Sequence, residues 1–186
     1  MLLSLVFGLS SSTGRALAQE PATEKSESPE LNSVKIVNRL SLLVAYQAPL
    51  DLDKVGIGTG LAYTRDYFVG PNTALGIHLA LRTFPVDPLQ LALGYGLTIR
   101  HYLGSSNQDR PGGFYLLYGL LLQMNYLSSK KGTATGHDTL LAAGFDFQSS
   151  NWLPFLEVGY HLTQVRSFDD KTLWWPYAET QFGFRF

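Results

Sequence analysis

The stretch Leu89–Arg100, LQLALGYGLTIR, divides cleanly by parity. Leu89, Leu91, Leu93, Tyr95, Leu97 and Ile99 fall on one side, and Gln90, Ala92, Gly94, Gly96, Thr98 and Arg100 on the other. A period of two means a strand whose two faces meet different surroundings. Here one face is bulky and apolar, and the other is small or charged. A water-soluble barrel turns its bulky apolar face inward, but a narrow closed barrel has no room for many rows of Leu, Tyr and Phe. The glycine-rich face fits inside such a barrel, and the bulky face fits lipid.

The same division recurs along the chain. Leu75, Ile77, Leu79 and Leu81 oppose Gly76, His78, Ala80 and Arg82; Leu156, Val158, Tyr160 and Leu162 oppose Glu157, Gly159, His161 and Thr163. The last stretch, LWWPYAETQFGFRF, sets Trp174, Pro176, Ala178, Thr180, Phe182, Phe184 and Phe186 against Trp175, Tyr177, Glu179, Gln181, Gly183 and Arg185. Eight alternating segments are expected, at 34–47, 55–66, 73–84, 89–102, 114–127, 137–148, 153–166 and 174–186. Each is at least as long as the ~9–11 residues that a tilted strand needs to cross a bilayer. Turn-forming stretches separate them, among them VGPN, PVDP, GSSNQDRPGG and SSKKGTATG, and the prolines from Pro49 to Pro176 are expected at strand ends. Tyr46, Tyr63, Tyr67, Phe84, Tyr102, Phe114, Tyr126, Phe147, Trp152, Phe155, Trp174 and Trp175 gather near those ends. Aromatic girdles at the two interfaces of a membrane barrel have that distribution. The fold expected is therefore all-β: a closed, antiparallel, eight-stranded, up-and-down transmembrane barrel over residues 34–186. Closure leaves no strand edge unpaired in lipid.

The bulk properties agree. Among 186 residues, 45% are hydrophobic and 13% aromatic, and the mean hydropathy is +0.02. Such a value excludes a helical membrane protein and leaves room for a barrel, whose strands are half apolar. A net charge of −1 implies no nucleic-acid partner. The absence of cysteine excludes thiol catalysis and thiolate metal sites. At the N-terminus, Leu2–Leu9 form an apolar run, and Ala16-Leu17-Ala18 is a small-x-small cleavage pattern. A signal peptide over 1–18, cleaved near Ala18, is expected, although no Lys or Arg follows Met1. The polar stretch 19–33 reads as a flexible lead.

Strand number, alternation, export signal and C-terminal Phe resemble the small outer-membrane barrels of Gram-negative bacteria, of the OmpA transmembrane-domain and OmpX kind. The resemblance covers residues 34–186 and implies residence in the bacterial outer membrane among its lipids and lipopolysaccharide. It also implies that Tyr177, Phe182, Phe184 and Phe186 match the positions read by the outer-membrane barrel assembly machinery. Both termini would then be periplasmic and the even-numbered connections short. The fourth connection, 103–112, is long and the third, 85–88, short. Two readings stay open: an unusual loop pattern, or a miscounted strand.

The inner face carries the candidate functional residues: His78, Arg82, Arg100, Asp146, Glu157, His161, Glu179 and Arg185. Antiparallel registers drawn from the loops set His161 opposite Glu179, Glu157 diagonal to Arg185, His78 opposite Gly94, Arg82 opposite Gln90 and Asn125 opposite Asp138. Buried charges must pair, so the plain reading is a polar packing core, and the sharper one an ion or proton path. An enzymatic alternative is an acyl hydrolase or acyltransferase acting on lipid A, which needs a Ser–His–carboxylate set on the outer wall. His101 and His137 are expected outside, and Ser128, Ser129, His137 and Asp138 lie close in sequence. A lipocalin-type binding barrel would need the reverse polarity. No phosphate loop, dinucleotide fingerprint or metal-ligand spacing occurs, so no cofactor or metal is expected. Lys130 and Lys131 sit in an expected extracellular loop, where lipopolysaccharide phosphates are within reach. The sequence leaves the oligomeric state open, and it favours a structural or surface role, or minor permeability, over catalysis.

Overall fold

A computed structural model describes residues 35–47, 56–84, 90–104, 112–127, 132–148, 153–166 and 172–186. The expected signal peptide, the polar lead, Lys130, Lys131, Ser128 and Ser129 lie outside the described residues. Eight strands follow in order: β1 (Ile36–Gln47), β2 (Gly56–Phe68), β3 (Thr73–Phe84), β4 (Gln90–Tyr102), β5 (Gly113–Leu127), β6 (Gly132–Asp146), β7 (Leu153–Arg166) and β8 (Thr172–Arg185). Each pairs antiparallel with its sequence neighbours, and β1 pairs with β8 to close the barrel. At the seam, the Phe186 and Asn38 backbones exchange both hydrogen bonds, at 2.9 and 3.0 Å.

Register partners traced once around the barrel run from Leu40 through Tyr63, Leu79, Tyr95, Leu122, His137 and Gln164 to Trp174. Leu40 itself pairs with Phe184, ten residues further along β8 than Trp174. A stagger of that size over eight strands, with ordinary strand spacings, implies a tilt of about 40°. The lumen of such a barrel is filled by side chains.

Burial alternates along every strand in the expected phase. Leu42, Leu61, Ile77, Leu97, Leu120, Leu141, Val158 and Phe182 all point outward and are at least half exposed. Arg39, Arg82, Arg100, Asp66 and Asp146, by contrast, are 2% exposed or less. This is the inverse of a soluble protein and the arrangement that lipid requires. Inside, the glycines make room: a Cβ on Gly136 would lie 2.1 Å from the Gln164 carbonyl oxygen, and one on Gly183 would lie 2.2 Å from that of Leu40.

Several expectations change. β6 begins at Gly132, so 132–136 of the expected turn 128–136 is strand. The β7–β8 register is offset by two from the expected one: His161 faces Tyr177, Glu179 faces Gly159 and Glu157 faces Gln181. The β3–β4 register shifts likewise, so His78 faces Gly96 and Arg82 faces Ala92. In β5–β6 the offset is four, with Asn125 facing Ala134 and Asp138 facing Leu121. Every shift is even, so no side chain changes face. Three residues counted with the aromatic girdle, Phe84, Tyr102 and Phe155, are buried in the lumen instead. Pro176 lies inside β8, where among the described residues it pairs with Leu162 of β7 and with no residue of β1. Eight strands are present among the described residues, so the long fourth connection does not come from a miscounted strand.

Candidate functional site

Alternation points the polar residues of every strand into one lumen, where they separate into two ionic groups. The first sits at the barrel end that holds Ile36 and Arg185. There Arg39 on β1 gives Nη1 and Nη2 to Asp146 Oδ1 and Oδ2 on β6, at 2.8 and 2.7 Å. Its Nε donates to Asp66 Oδ2 at 2.8 Å. Asp66 also accepts from Arg100, whose Nη2 reaches Glu157 Oε2 at 3.4 Å. Arg185 Nη1 donates to Asp146 Oδ2 at 3.0 Å. Tyr102 OH donates to the same oxygen at 2.7 Å, and Tyr115 OH to Glu157 Oε2 at 2.9 Å. Three guanidinium groups thus meet three carboxylates. The rings add cation–π contacts: Arg100 lies 4.7 Å from the Tyr115 centroid and Arg39 lies 5.0 Å from that of Phe155.

The second group lies toward the opposite end. Arg82 Nε donates to Glu179 Oε2, and Nη2 donates to Oε1 at 3.3 Å. Gln181 Nε2 donates to Glu179 Oε1 at 2.7 Å and is held by Ser41, whose Oγ donates to Gln181 Oε1 at 2.8 Å. His161 Nδ1 lies 2.6 Å from Asp138 Oδ2, the geometry of a ring N–H donating to a carboxylate. Its ring stacks on Tyr177 at 4.2 Å, with 8° between the planes. Thr163 Oγ1 is within reach of both Asp138 Oδ1 and Gln123 Oε1, at 3.1 and 3.2 Å.

Apolar side chains separate the two groups. On β6, Leu140 and Ala142 stand between Asp138 and Asp146, and Leu43, Ala62 and Ala80 pack together from β1, β2 and β3. His78 sits in this middle zone with Nδ1 2.9 Å from Thr64 Oγ1, and its Nε2 has no hydrogen-bond partner among the described residues. The whole is a packed plug. A buried charge is tolerable only when paired and hydrogen-bonded, and these charges are.

All eight candidates from the inner face are buried in the lumen. Arg100, Asp146, Glu157 and Arg185 come together in the first group, Arg82, His161 and Glu179 in the second, and His78 joins neither. Glu157 meets Arg100 rather than the expected Arg185, which meets Asp146. Arg39 and Asp66, central to the first group, were not among the candidates. The parity rule applied to β1 and β2 finds them, since Arg39 shares its face with Ser41, Leu43 and Ala45. Phe182, Phe184 and Phe186 form an external row, while Tyr177 is inside. On the outer wall, His101 Nδ1 lies 3.0 Å from Thr73 Oγ1. His137 is exposed on the outside while its neighbour Asp138 is buried inside, so these two do not build a common catalytic set.

Fold and lumen together define the class: a closed, eight-stranded, antiparallel membrane barrel with an ionic, side-chain-filled interior. Neisserial surface protein A has a crystal structure that superposes with a TM-score of 0.63 at 12% identity, covering 81% of this chain and 95% of that one. The N-terminal β-barrel domain of Pseudomonas aeruginosa OprF aligns at a TM-score of 0.48 and 15% identity, over 81% of this chain and 97% of that domain. No protein-family model matches the sequence, and no curated protein matches it.

Proposed function

We propose that this protein is an integral barrel of the bacterial outer membrane, exported by its signal peptide, with a structural or surface-interaction role and no open pore. The observation that carries this reading is the lumen: Arg39, Asp66, Arg100, Asp146, Tyr102 and Tyr115 close one end, and Arg82, Glu179, His161, Asp138 and Tyr177 fill the other. The apolar exterior supports insertion in lipid, and the external Phe row of β8 supports handling by the barrel assembly machinery. Its surroundings would be outer-membrane lipid and lipopolysaccharide. Purified protein refolded into vesicles tests the reading. It should float with the vesicles and add no discrete conductance steps across a planar bilayer, and lipid A extracted from cells with and without it should give the same mass spectrum. Stable unit conductance overturns the closed lumen, and an altered acyl pattern overturns the non-enzymatic role.

A further inference from the structure

At the barrel end that holds Ile36 and Arg185, the outer wall differs from one side to the other. Each strand presents two outward positions nearest that end. On β1 to β4 at least one of the two is polar, namely Asn38, Arg65, Thr73 and His101. On β5 to β8 neither is, and Phe114, Phe145 and Phe184 stand there instead. Arg65 is exposed, between Asn38 of β1 and Ile77 of β3, three residues before the end of β2. With ordinary strand spacing and a tilt of about 40°, its Cα lies ~8 Å inside that end, within the apolar belt. Its guanidinium lies 5.5 Å from the Tyr67 centroid, so the side chain leans toward the end of the barrel rather than its middle. Tyr63 OH donates to Asn38 Oδ1 at 2.8 Å, which leaves the Asn38 amide nitrogen to donate elsewhere. Among the described residues Arg65 meets no carboxylate, because Asp66, Asp138, Asp146, Glu157 and Glu179 all point into the lumen. The β2–β3 connection beside it, 69–72, is described throughout and carries no charge.

The geometry points to Arg65, with the Asn38 amide beside it and the Tyr67 ring under it, as a binding site for the headgroup phosphate of a glycerophospholipid. The inference rests on the membrane reading proposed above, in which this end of the wall meets the periplasmic leaflet. A guanidinium on a lipid-facing wall needs an anion that the lipid itself brings, and the phosphate layer lies at the depth to which this side chain reaches. Arginine suits a phosphate because its planar fork makes two parallel charge-assisted hydrogen bonds, and the Asn38 amide supplies a further donor. The phenylalanines of β5 to β8 offer no donor at that depth, so the phospholipid is held on one side of the barrel.

Native mass spectrometry of the refolded full chain in detergent micelles tests the site, with phosphatidylglycerol, phosphatidylethanolamine and the phosphate-free galactosyl diacylglycerol, all of matched acyl chains, as probes. Wild-type protein should retain both phospholipids in preference to the galactolipid. Arg65→Gln should weaken phospholipid retention about tenfold, the scale of one lost charged hydrogen bond, and leave the galactolipid unaffected. Arg65→Lys should fall between the two, since an ammonium keeps the charge and loses the fork. His137→Gln, an exposed side chain toward the opposite end of the wall, should change nothing. Glu27→Gln combined with Glu30→Gln, in the chain ahead of β1, should also change nothing. Circular dichroism and unheated gel mobility establish that each variant is folded. Equal retention by wild type and Arg65→Gln overturns the site, as does equal retention of the galactolipid. A rise in retention on losing Glu27 and Glu30 overturns it too, by making those acids the partners of Arg65. A chain that enters vesicles without preferring phospholipid overturns this inference alone, whereas one that fails to enter them overturns the membrane reading itself.

Discussion

Arg39 and Asp146, 107 residues apart in the chain, meet in a two-pronged ion pair across the lumen, Nη1 to Oδ1 at 2.8 Å and Nη2 to Oδ2 at 2.7 Å. Asp146 also receives Arg185 and the Tyr102 hydroxyl. One carboxylate therefore ties β1, β4, β6 and β8 together at the barrel end that holds Ile36 and Arg185.

Asp146→Ala should be the most damaging single change in the lumen. It takes the two-pronged partner from Arg39, leaving it Asp66, and removes the carboxylate to which Arg185 Nη1 donates; breaking a buried pair from one side costs about 3–5 kcal/mol. Urea unfolding in detergent, followed by tryptophan fluorescence, measures it. In a double-mutant cycle, removing Arg39 as well should cost less than the sum of the two single changes. Strict additivity would mean that the pair is not coupled.

Leu97→Arg tests orientation. Leu97 is 67% exposed on the outside of β4, midway along the strand. On a soluble surface the change would be neutral. In a bilayer an arginine at the midplane costs about 2–4 kcal/mol, falling to about 0–1 kcal/mol at the interface. Val69→Arg, in the connection between β2 and β3, should therefore be nearly silent. Equal stabilities of the two variants in phospholipid bilayers would contradict a lipid-facing Leu97.

Glycine substitutions should rank by what the new methyl group meets. On Gly183 it meets the Leu40 carbonyl oxygen at 2.2 Å and Ser41 Cα at 2.7 Å, both backbone, so β1 or β8 must move. On Gly94 it meets only Arg82 Nη1 at 3.1 Å, the tip of a flexible side chain. Gly183→Ala should lose about 1–3 kcal/mol, the usual cost of overpacking, and Gly94→Ala clearly less. The same unfolding assay reads both, and the opposite order would contradict the close approach of β1 and β8 at the seam.

Tyr177→Ala should loosen the second ionic group without opening the barrel. Its ring stacks on His161, and its hydroxyl donates to Asp138 Oδ2 at 3.3 Å. The variant should unfold at lower urea, as large-to-small core changes of aromatic residues do at a cost of about 3–5 kcal/mol. Planar-bilayer recordings should stay free of unit steps, since Arg39, Asp146 and Tyr102 still fill the other end. Steps in Tyr177→Ala alone would place the only barrier at this ring.

Much of the fold was legible residue by residue. Leu97 beside Thr98, and Phe184 beside Arg185, already announce the two environments. The eight segments follow from repeating that observation. The site was less legible. Arg39 is marked only by the alternation of its strand, and Phe84, Tyr102 and Phe155 look like girdle aromatics because they occur near strand ends. Whether such a ring faces lipid or lumen depends on the phase of the alternation as it enters the turn.

Parity along each strand was readable from the chain alone, because the direction in which successive side chains point is a local property of extended backbone. Pairing was not. Sliding one strand past another by two or four residues leaves every Leu outside and every Arg inside, so the hydrophobic pattern is blind to even offsets. What separates His161 against Tyr177 from His161 against Glu179 is where the β7–β8 connection turns, how closure staggers eight tilted strands, and which ions then meet across the lumen. Those are properties of the closed barrel, and only the tertiary structure holds them.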